Sequence, residues 1–294
     1  MNQFIHTIRL ILFRILKKYP RILAWNYLYR TASKTITFTR NKTVWTASAR
    51  DGIIGYGLFV YGHWQFQEID SVVDLLERRN LLSGKQYVIN AGANIGSSSI
   101  RISKLCACRV LAIEPIAANF ELLKKNIAQN NLTDRIDCFQ GAVFEEVKNL
   151  TMVTPEINPG GSEIYSDMCD YAEGRVSREN VSGFPLSHIL RERKIDPKSV
   201  AFVWSDTQGS EGHVIRTGSE LWLAGVPLVV EYWPRGLCYQ GEKEFLQLVR
   251  RYFKSYCPIP NYRSKFKVLK EEPIETLGTD KLDQADDMDI LLLP

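Results

Sequence analysis

The sequence predicts a doubly wound α/β fold with a mostly parallel sheet, and three observations carry that expectation. Tyr87-Val-Ile-Asn-Ala91 is a short apolar run that breaks into Gly92-Ala-Asn-Ile-Gly96, which reads as a buried strand entering a glycine turn. One helix-length later, Arg109-Val-Leu-Ala-Ile-Glu114 is a second apolar run, ending in an acid, and the spacing from Gly96 suits a crossover helix. Further apolar runs at Ser199–Ser205 and Leu228–Trp233 are set apart by segments of helical periodicity, the pattern that builds parallel sheets.

The elements follow in order. Thr35-Ile-Thr-Phe-Thr and Thr43-Val-Trp-Thr-Ala alternate apolar and polar residues across Asn41-Lys42 and predict a hairpin. Ile69, Val72, Val73, Leu75 and Leu76 fall at helical spacing within residues 66–82, ahead of Ser83-Gly84. The first sheet helix is expected over Ser98–Leu105 and the second over Ala118–Asn130, closing at Asn130-Asn131, where a left-handed stop is cheap. Arg135–Val143 reads as the third strand, Ser199–Ser205 as the fourth, Leu228–Trp233 as the fifth and Asp289–Leu293 as the last. Residues 150–185, rich in Gly, Pro, Ser and Asn, are expected to be an irregular insertion. The chain thus divides into a basic amphipathic segment (1–34), a hairpin and helix or lid region (35–82), and the α/β domain (83–294).

Charge is unevenly spread. Residues 1–50 carry ten Lys or Arg and no acid, which leaves 27 basic and 33 acidic groups in the other 244 residues. Phe4, Ile5, Ile8, Ile11, Leu12, Ile15 and Leu16 fall on one side of a helix, with His6, Arg9, Arg14 and Lys17 on the other, and Pro20 ends or bends it. The apolar run is too short and too charged to span a bilayer or to form a signal-peptide core. With Trp25, Tyr27 and Tyr29 beyond it, residues 1–30 suit an anionic membrane surface; packing on the domain or on a partner chain is the alternative, and a mitochondrial presequence shares the composition. Nucleic acid ranks below these, because neither a base-reading motif nor a second basic patch is present. The expected location is cytoplasmic, with the inner face of a membrane as a peripheral site. Six scattered cysteines without C-x-x-C pairs predict reduced thiols, and no motif calls for a metal.

The turn at residues 92–96 and Glu114 together predict a Rossmann-like site for an adenosine-containing cofactor. Glycines let the backbone approach a ligand, backbone amides at a helix start suit an anionic group, and a carboxylate accepts both hydroxyls of a ribose. The competing reading is a tight turn that needs glycine for packing alone. The dinucleotide fingerprint is incomplete: a third glycine is missing, and Pro115 rather than Arg follows Glu114.

On these residues, together with Asn119-Phe120, Gly160-Gly-Ser162, Phe202-Val-Trp-Ser-Asp-Thr-Gln-Gly-Ser-Glu211 and Leu228-Val-Val-Glu231, the chain resembles the class I S-adenosylmethionine-dependent methyltransferases, and among them the FkbM family. The resemblance spans roughly residues 60–235. It implies an O-methyltransferase that uses S-adenosylmethionine and acts on a hydroxyl of a glycan, glycolipid or secondary metabolite.

The cofactor residues so implied are Asn90, Gly92, Ala93, Asn94, Ile95, Gly96, Ser97, Glu114, Pro115, Asn119, Gln140, Gly141, Ala142 and Asp206. Asp206, Glu231 and His63 are the candidate bases, since methyl transfer to a hydroxyl requires its proton to be removed. Asp206 could equally be a helix N-cap, and His213, inside a predicted helix, is expected on the surface or in packing. Tyr61, Trp64, Glu68, Gly160, Gly161, Ser162, Gln208 and Trp233 are the candidate acceptor contacts. The sequence departs from the family at Asn90, Gln65 and Gln208, where acids are usual, and at Thr217, where glycine is. A membrane-associated binding module that keeps the fold without turnover, and a nicotinamide-dependent oxidoreductase, are the rivals. The partners left open are the acceptor, an anionic membrane and a second copy in a homo-oligomer.

Overall fold

The computed structural model describes residues 18–31, 34–165, 176–233, 241–260, 269–278 and 288–294. The apolar stripe from Phe4 to Leu16 lies outside them, as do Cys169 and Cys238. Residues 18–30 form helix α1. Strands β1 (Thr35–Arg40) and β2 (Thr43–Ser48) then pair as the expected hairpin, with Arg40 facing Thr43. Asn41 and Lys42 both take positive φ, 49° and 61°, the conformation whose twist matches a tight two-residue turn.

The central sheet has eight strands. In chain order these are β3 (Tyr87–Ala91), β4 (Arg109–Glu114), β5 (Ile136–Gln140), β10 (Val200–Ser205), β11 (Leu228–Tyr232), β12 (Ser255–Pro258), β13 (Glu272–Pro273) and β14 (Met288–Leu293), and in space they run 13-12-14-11-10-3-4-5. The five strands β11-β10-β3-β4-β5 are parallel, and β14 enters antiparallel between β11 and β12. Helices cover both faces. Val72 and Leu76 of α3 (Phe66–Arg78), Ile100 of α4 (Ser97–Leu105) and Leu123 of α5 (Ala117–Gln129) pack on one face. Ile189 of α6 (Leu186–Glu192), Val214 of α7 (Glu211–Thr217), Trp222 of α8 (Ser219–Leu223) and Phe245 of α9 (Gly241–Tyr252) pack on the other. This is the doubly wound α/β arrangement that alternating strands and helices predict.

Two expectations are corrected. The run Arg135–Val143 is not one strand: it splits at Gly141 into β5 and the two-residue β6 (Ala142–Val143), which leaves the main sheet to pair with β9 (Val176–Phe184). A β-carbon on Gly141 would lie 2.9 Å from the rings of both Phe139 and Phe184, so glycine fits the point where the chain changes sheets. Nor is the insertion irregular throughout. β7 (Lys148–Pro155), β8 (Glu163–Ile164), β9 and β6 make a second sheet, in the order 6-9-7-8, in which Leu150 faces Val181 and Met152 faces Ile164. Leu150, Met152 and Val181 bury while their neighbours Asn149, Thr151 and Asn180 do not; Pro159, Gly160 and Gly161 stand in the turn after β7. This cover sheet has its own small core with Ile116.

Also beyond the sequence expectations are α2 (Ile54–Val60), at whose start Asp51 accepts the Ile54 and Gly55 amides, and α6, α9 and β12. Of the two readings of the N-terminal segment, a membrane surface or packing on the domain, Trp25 takes the second: it is 3% exposed and packs against Tyr56 and Phe59 of α2.

Candidate active site

Strand order reverses between β3 and β10, and the loops leaving their carboxyl ends meet there, the position at which an open α/β sheet offers a crevice. The Asp206 amide donates to the Ala91 carbonyl at 3.0 Å. A β-carbon on Gly92 (φ 80°) would stand 1.8 Å from the Asp206 carbonyl oxygen. At Gly96 the same addition would meet Leu123 at 2.8 Å. Close packing of backbone on backbone thus demands glycine at 92, and the left-handed φ of 93° favours it at 96; Gly92 also lines the crevice, and Gly96 does not.

The crevice is a cleft open to solvent. Gly92 and Asn94 come from the turn after β3, Glu114 and Pro115 from the end of β4, and Asn119 from α5. Gly141, Ala142, Val143, Met152 and Ile164 form a wall built by the cover sheet and the strand leading into it. Pro159, Gly160 and Ser162 belong to the turn between β7 and β8, and Asp206, Thr207, Gln208 and Ser210 to the loop after β10.

Glu114 sits at the centre. Its Oε2 accepts the Asn94 amide at 2.8 Å and its Oε1 accepts the Ile116 amide at 2.9 Å, so this one carboxylate ties the first turn to the start of the second helix. Each oxygen keeps lone-pair capacity beyond these bonds. Burial pushes the Glu114 carboxyl up to about 7, against the lowering effect of its amide donors.

Asn119 donates to the Pro159 carbonyl at 3.1 Å, and the Ser162 hydroxyl donates to the same carbonyl at 2.9 Å, which holds the turn over the cleft. A β-carbon on Gly160 would press on Ile54 at 2.8 Å, so this turn also rests on α2.

At the other end, Gln208 takes φ 49° and its Nε2 donates to Asp206 Oδ1 at 2.7 Å and to Glu231 Oε2 at 3.1 Å. An amide here bridges two carboxylates that a third acid would repel, which gives the departure at Gln208 a physical sense. Glu211 accepts the Thr207 amide and the Thr207 hydroxyl, both at 2.9 Å, and so fixes the same loop from behind. Burial pushes Glu211 up to about 7. Asp206 is not the N-cap of α7; Ser210 takes that position.

The structure brings Gly92, Asn94, Glu114, Pro115, Asn119, Gly141, Ala142, Gly160, Ser162, Asp206 and Gln208 to one cleft. Ala93, Ile95, Ser97 and Gln140 flank it without forming its walls, as does Gly161, where a β-carbon would crowd Asn158. Asn90 points elsewhere: fully buried, it donates to Ser98 and Ser99 of α4 at 2.8 and 2.6 Å. Glu231 is not a wall of the cleft, and Gln208, which is one, donates to it.

His63 and Tyr61 lie with Phe66 and Lys18 in the N-terminal region, where burial, then Lys18 and Arg40, hold the His63 imidazole below its ordinary range. Trp64 packs toward Gly57, and neither it, Glu68 nor Trp233 is a cleft wall. His213 is buried beside Phe144 with Nδ1 3.1 Å from Glu145 Oε1, a packing position as expected.

Ile113, Val143, Met152, Pro159, Ile164, Thr207 and Ser210 line the cleft without having been anticipated. Met152 had a signal in the alternation Asn149-Leu150-Thr151-Met152, and Thr207 and Ser210 flank Gln208; Ile164, in a two-residue strand, had none.

The family model "Methyltransferase FkbM domain" matches residues 90–255. Methyltransferase sdnD of Sordaria araneosa is 25% identical over 186 residues, 55% of this chain and 72% of that protein. Two solved structures are more distant. TYW2 of P. horikoshii in complex with MeSAdo is 12% identical, with 89% of this chain and 72% of that chain covered and a TM-score of 0.43. The O-methyltransferase from Bacillus cereus in complex with SAH is 11% identical, with 82% of this chain and 96% of that chain covered and a TM-score of 0.40.

Proposed function

Because this chain belongs to the FkbM methyltransferase family, we propose that it transfers a methyl group from S-adenosylmethionine to a hydroxyl of a glycan, glycolipid or secondary metabolite. The observation that carries the cofactor assignment is Glu114, a buried carboxylate fixed by two amides and lining the cleft at the strand switch point. The donor set fits the group. Glu114 would hold the two ribose hydroxyls. The apolar side chains Ile113, Val143, Met152 and Ile164 would take the flat, weakly polar adenine, and Asp206 with Gln208 would face a charged amino-acid end.

S-adenosylmethionine supplies an activated methyl group on a sulfonium, open to in-line attack. The protein's share is to align the acceptor oxygen and to take its proton. Asp206 is the base favoured by position, since it lines the cleft while Glu231 is tied to it through Gln208. Gln208 Nε2 holds the Asp206 carboxylate in place, and the turn above, with Gly160 and the Ser162 hydroxyl, would contact a polyol acceptor.

Calorimetry with S-adenosylmethionine and turnover on a panel of glycans, glycolipids and hydroxylated metabolites test this reading. Micromolar binding with S-adenosylhomocysteine release is the expected result. Binding of a nicotinamide dinucleotide in its place sinks the cofactor assignment, and binding without turnover on any acceptor sinks the enzymatic one.

A further inference from the structure

One amide stands between two acids at the end of the sheet. β11 runs parallel to β10 with Ser205 beside Val230, which carries Glu231 to the level of Asp206. Gln208 Nε2 donates to both, to Asp206 Oδ1 at 2.7 Å and to Glu231 Oε2 at 3.1 Å. A carboxamide has a donor end and an acceptor end, and its neighbours decide which way it points. The reversed amide would set Oε1 against two carboxylates, so the two acids together fix Nε2 toward themselves. Gln208 also holds φ 49°, with Gly209 at 88°. Left-handed backbone at a residue other than glycine costs free energy, and two charge-assisted bonds to one nitrogen offset it.

The consequence is a polarity. Among the described residues both side-chain hydrogen bonds of Gln208 run through Nε2, and Gln208 is a wall of the cleft, so the atom it has left for a ligand is the oxygen Oε1. Thr207, the neighbouring wall, gives its amide and its hydroxyl proton to Glu211, so its hydroxyl oxygen too can only accept. The turn after β3 has the opposite character. Asn94 is 8% exposed, and its Oδ1 accepts the Ile95 amide at 2.6 Å. Its Nδ2 donates to no group among the described residues, and a β-carbon on Gly160, another wall, would lie 3.1 Å from it. One loop offers a donor, the other acceptors.

We propose that Glu231, itself outside the cleft, is a positioning residue: through Gln208 it keeps an acceptor oxygen turned to the site, so that the loop after β10 receives an ammonium group and repels a carboxylate. Resting on the cofactor reading above, this polarity sets the ammonium of the amino-acid end of S-adenosylmethionine against Gln208 Oε1 and its carboxylate toward Asn94 Nδ2. A carboxylate turned the other way would meet Oε1 with no proton between them.

Two measurements test it, the first without ligand. In NMR spectra of the ligand-free protein, the side-chain amide of Gln208, identified by its loss in Gln208→Met, exchanges slowly with solvent. Glu231→Ala removes one of its two acceptors and speeds that exchange by about fivefold, whereas Glu231→Gln, which keeps an acceptor oxygen, does not. Calorimetry then compares S-adenosylhomocysteine with its deaminated analogue. The wild type prefers the first by about tenfold or more; Gln208→Met removes most of that preference, and Glu231→Ala reduces it by about threefold. Both variants hold the deaminated analogue within about twofold of wild type, and Glu231→Gln restores the preference. A residue needed only for folding would weaken both ligands alike and lower the melting midpoint. The proposal is overturned if the Gln208 amide exchanges freely in the wild type, or is untouched by Glu231→Ala, while S-adenosylhomocysteine still binds. It is also overturned if the wild type binds both ligands equally, or if the variants weaken both equally. A protected amide in a wild type that binds no S-adenosylhomocysteine removes the cofactor reading itself, and the ammonium assignment falls with it.

Discussion

Two carboxylates stand on the same edge of the sheet, Glu114 as the last residue of β4 and Glu211 at the start of α7 after β10, one 4% and the other 1% exposed, each accepting two hydrogen bonds and each pushed up to about 7 by burial. Their partners separate them. Glu114 joins Asn94 to Ile116, two different loops, and still lines the cleft. Glu211 spends both bonds on Thr207, four residues back, and does not line it. A raised pKa marks burial alike in both, so it cannot by itself mark a ligand-binding acid; the side that faces empty space does. The region around Glu114 is a wall of the cleft, and the region around Glu211 is the brace behind the loop that forms another wall.

The largest effect expected from breaking this arrangement is at the seam between the two regions. Gly92→Ala sets a β-carbon against the Asp206 carbonyl in a left-handed backbone, and backbone cannot swing aside as a side-chain tip can. A loss of about 3 kcal/mol or more is expected, seen as a melting midpoint lower by roughly 6 °C or more and as undetectable S-adenosylhomocysteine binding. A normal melt with normal affinity would mean that the loops after β3 and β10 are not packed as described.

Next comes Glu114→Ala, which should weaken S-adenosylhomocysteine by about tenfold or more in calorimetry, roughly 1.4 kcal/mol. The wild type adds a pH signature with a definite sign. The ionised carboxylate is the form that accepts two hydroxyls, and with Glu114 near 7 its fraction grows as pH rises, so affinity should increase about tenfold from pH 6 to 8. Glu114→Gln should abolish that slope. A slope that survives in the variant would assign it to another group.

The same contrast explains what was legible in the sequence. Parallel strands buried on both faces read as unbroken apolar runs, and Val88-Ile-Asn-Ala91, Val110-Leu-Ala-Ile-Glu114 and Val200-Ala-Phe-Val-Trp204 stand out without any partner being known. Glu114 could be placed because it ends such a run. The cover sheet is written differently. Its strands are exposed on one side, two of them are two residues long, and β6 pairs with β9 some forty residues away, so composition pointed to a loop where pairing made a wall. Acids and glycines with a known place in the β-α turns were found; apolar walls such as Met152 and Ile164, whose role exists only once the second sheet closes over the first, were not.

Met152→Ala sharpens that division. Removing a buried thioether from the apolar wall should weaken S-adenosylhomocysteine by about fivefold, near 1 kcal/mol. Adenosine should lose the same factor, whereas competition by homocysteine alone should be unchanged. If homocysteine suffers and adenosine does not, the cover sheet faces the other end of the ligand.

The smallest effect on binding is expected at the brace. Glu211→Gln keeps an acceptor for the Thr207 amide and hydroxyl, so S-adenosylhomocysteine affinity should change by less than about threefold. The informative measurement is stability against pH. An acid raised from its ordinary 4.5 to about 7 binds protons more tightly in the folded than in the unfolded chain. Its contribution is therefore full below about pH 4.5 and is lost as pH rises through about 7, which makes the ligand-free wild type less stable at pH 8 than at pH 5 on this account. Glu114 adds a slope of the same sign. Denaturant melts of Glu211→Gln across this window should show a shallower decline than wild type, and Glu114→Gln likewise, while only the second variant changes how ligand binding depends on pH. Equal pH dependence of binding in the two variants would erase the distinction between the acid that faces the cleft and the acid that braces it.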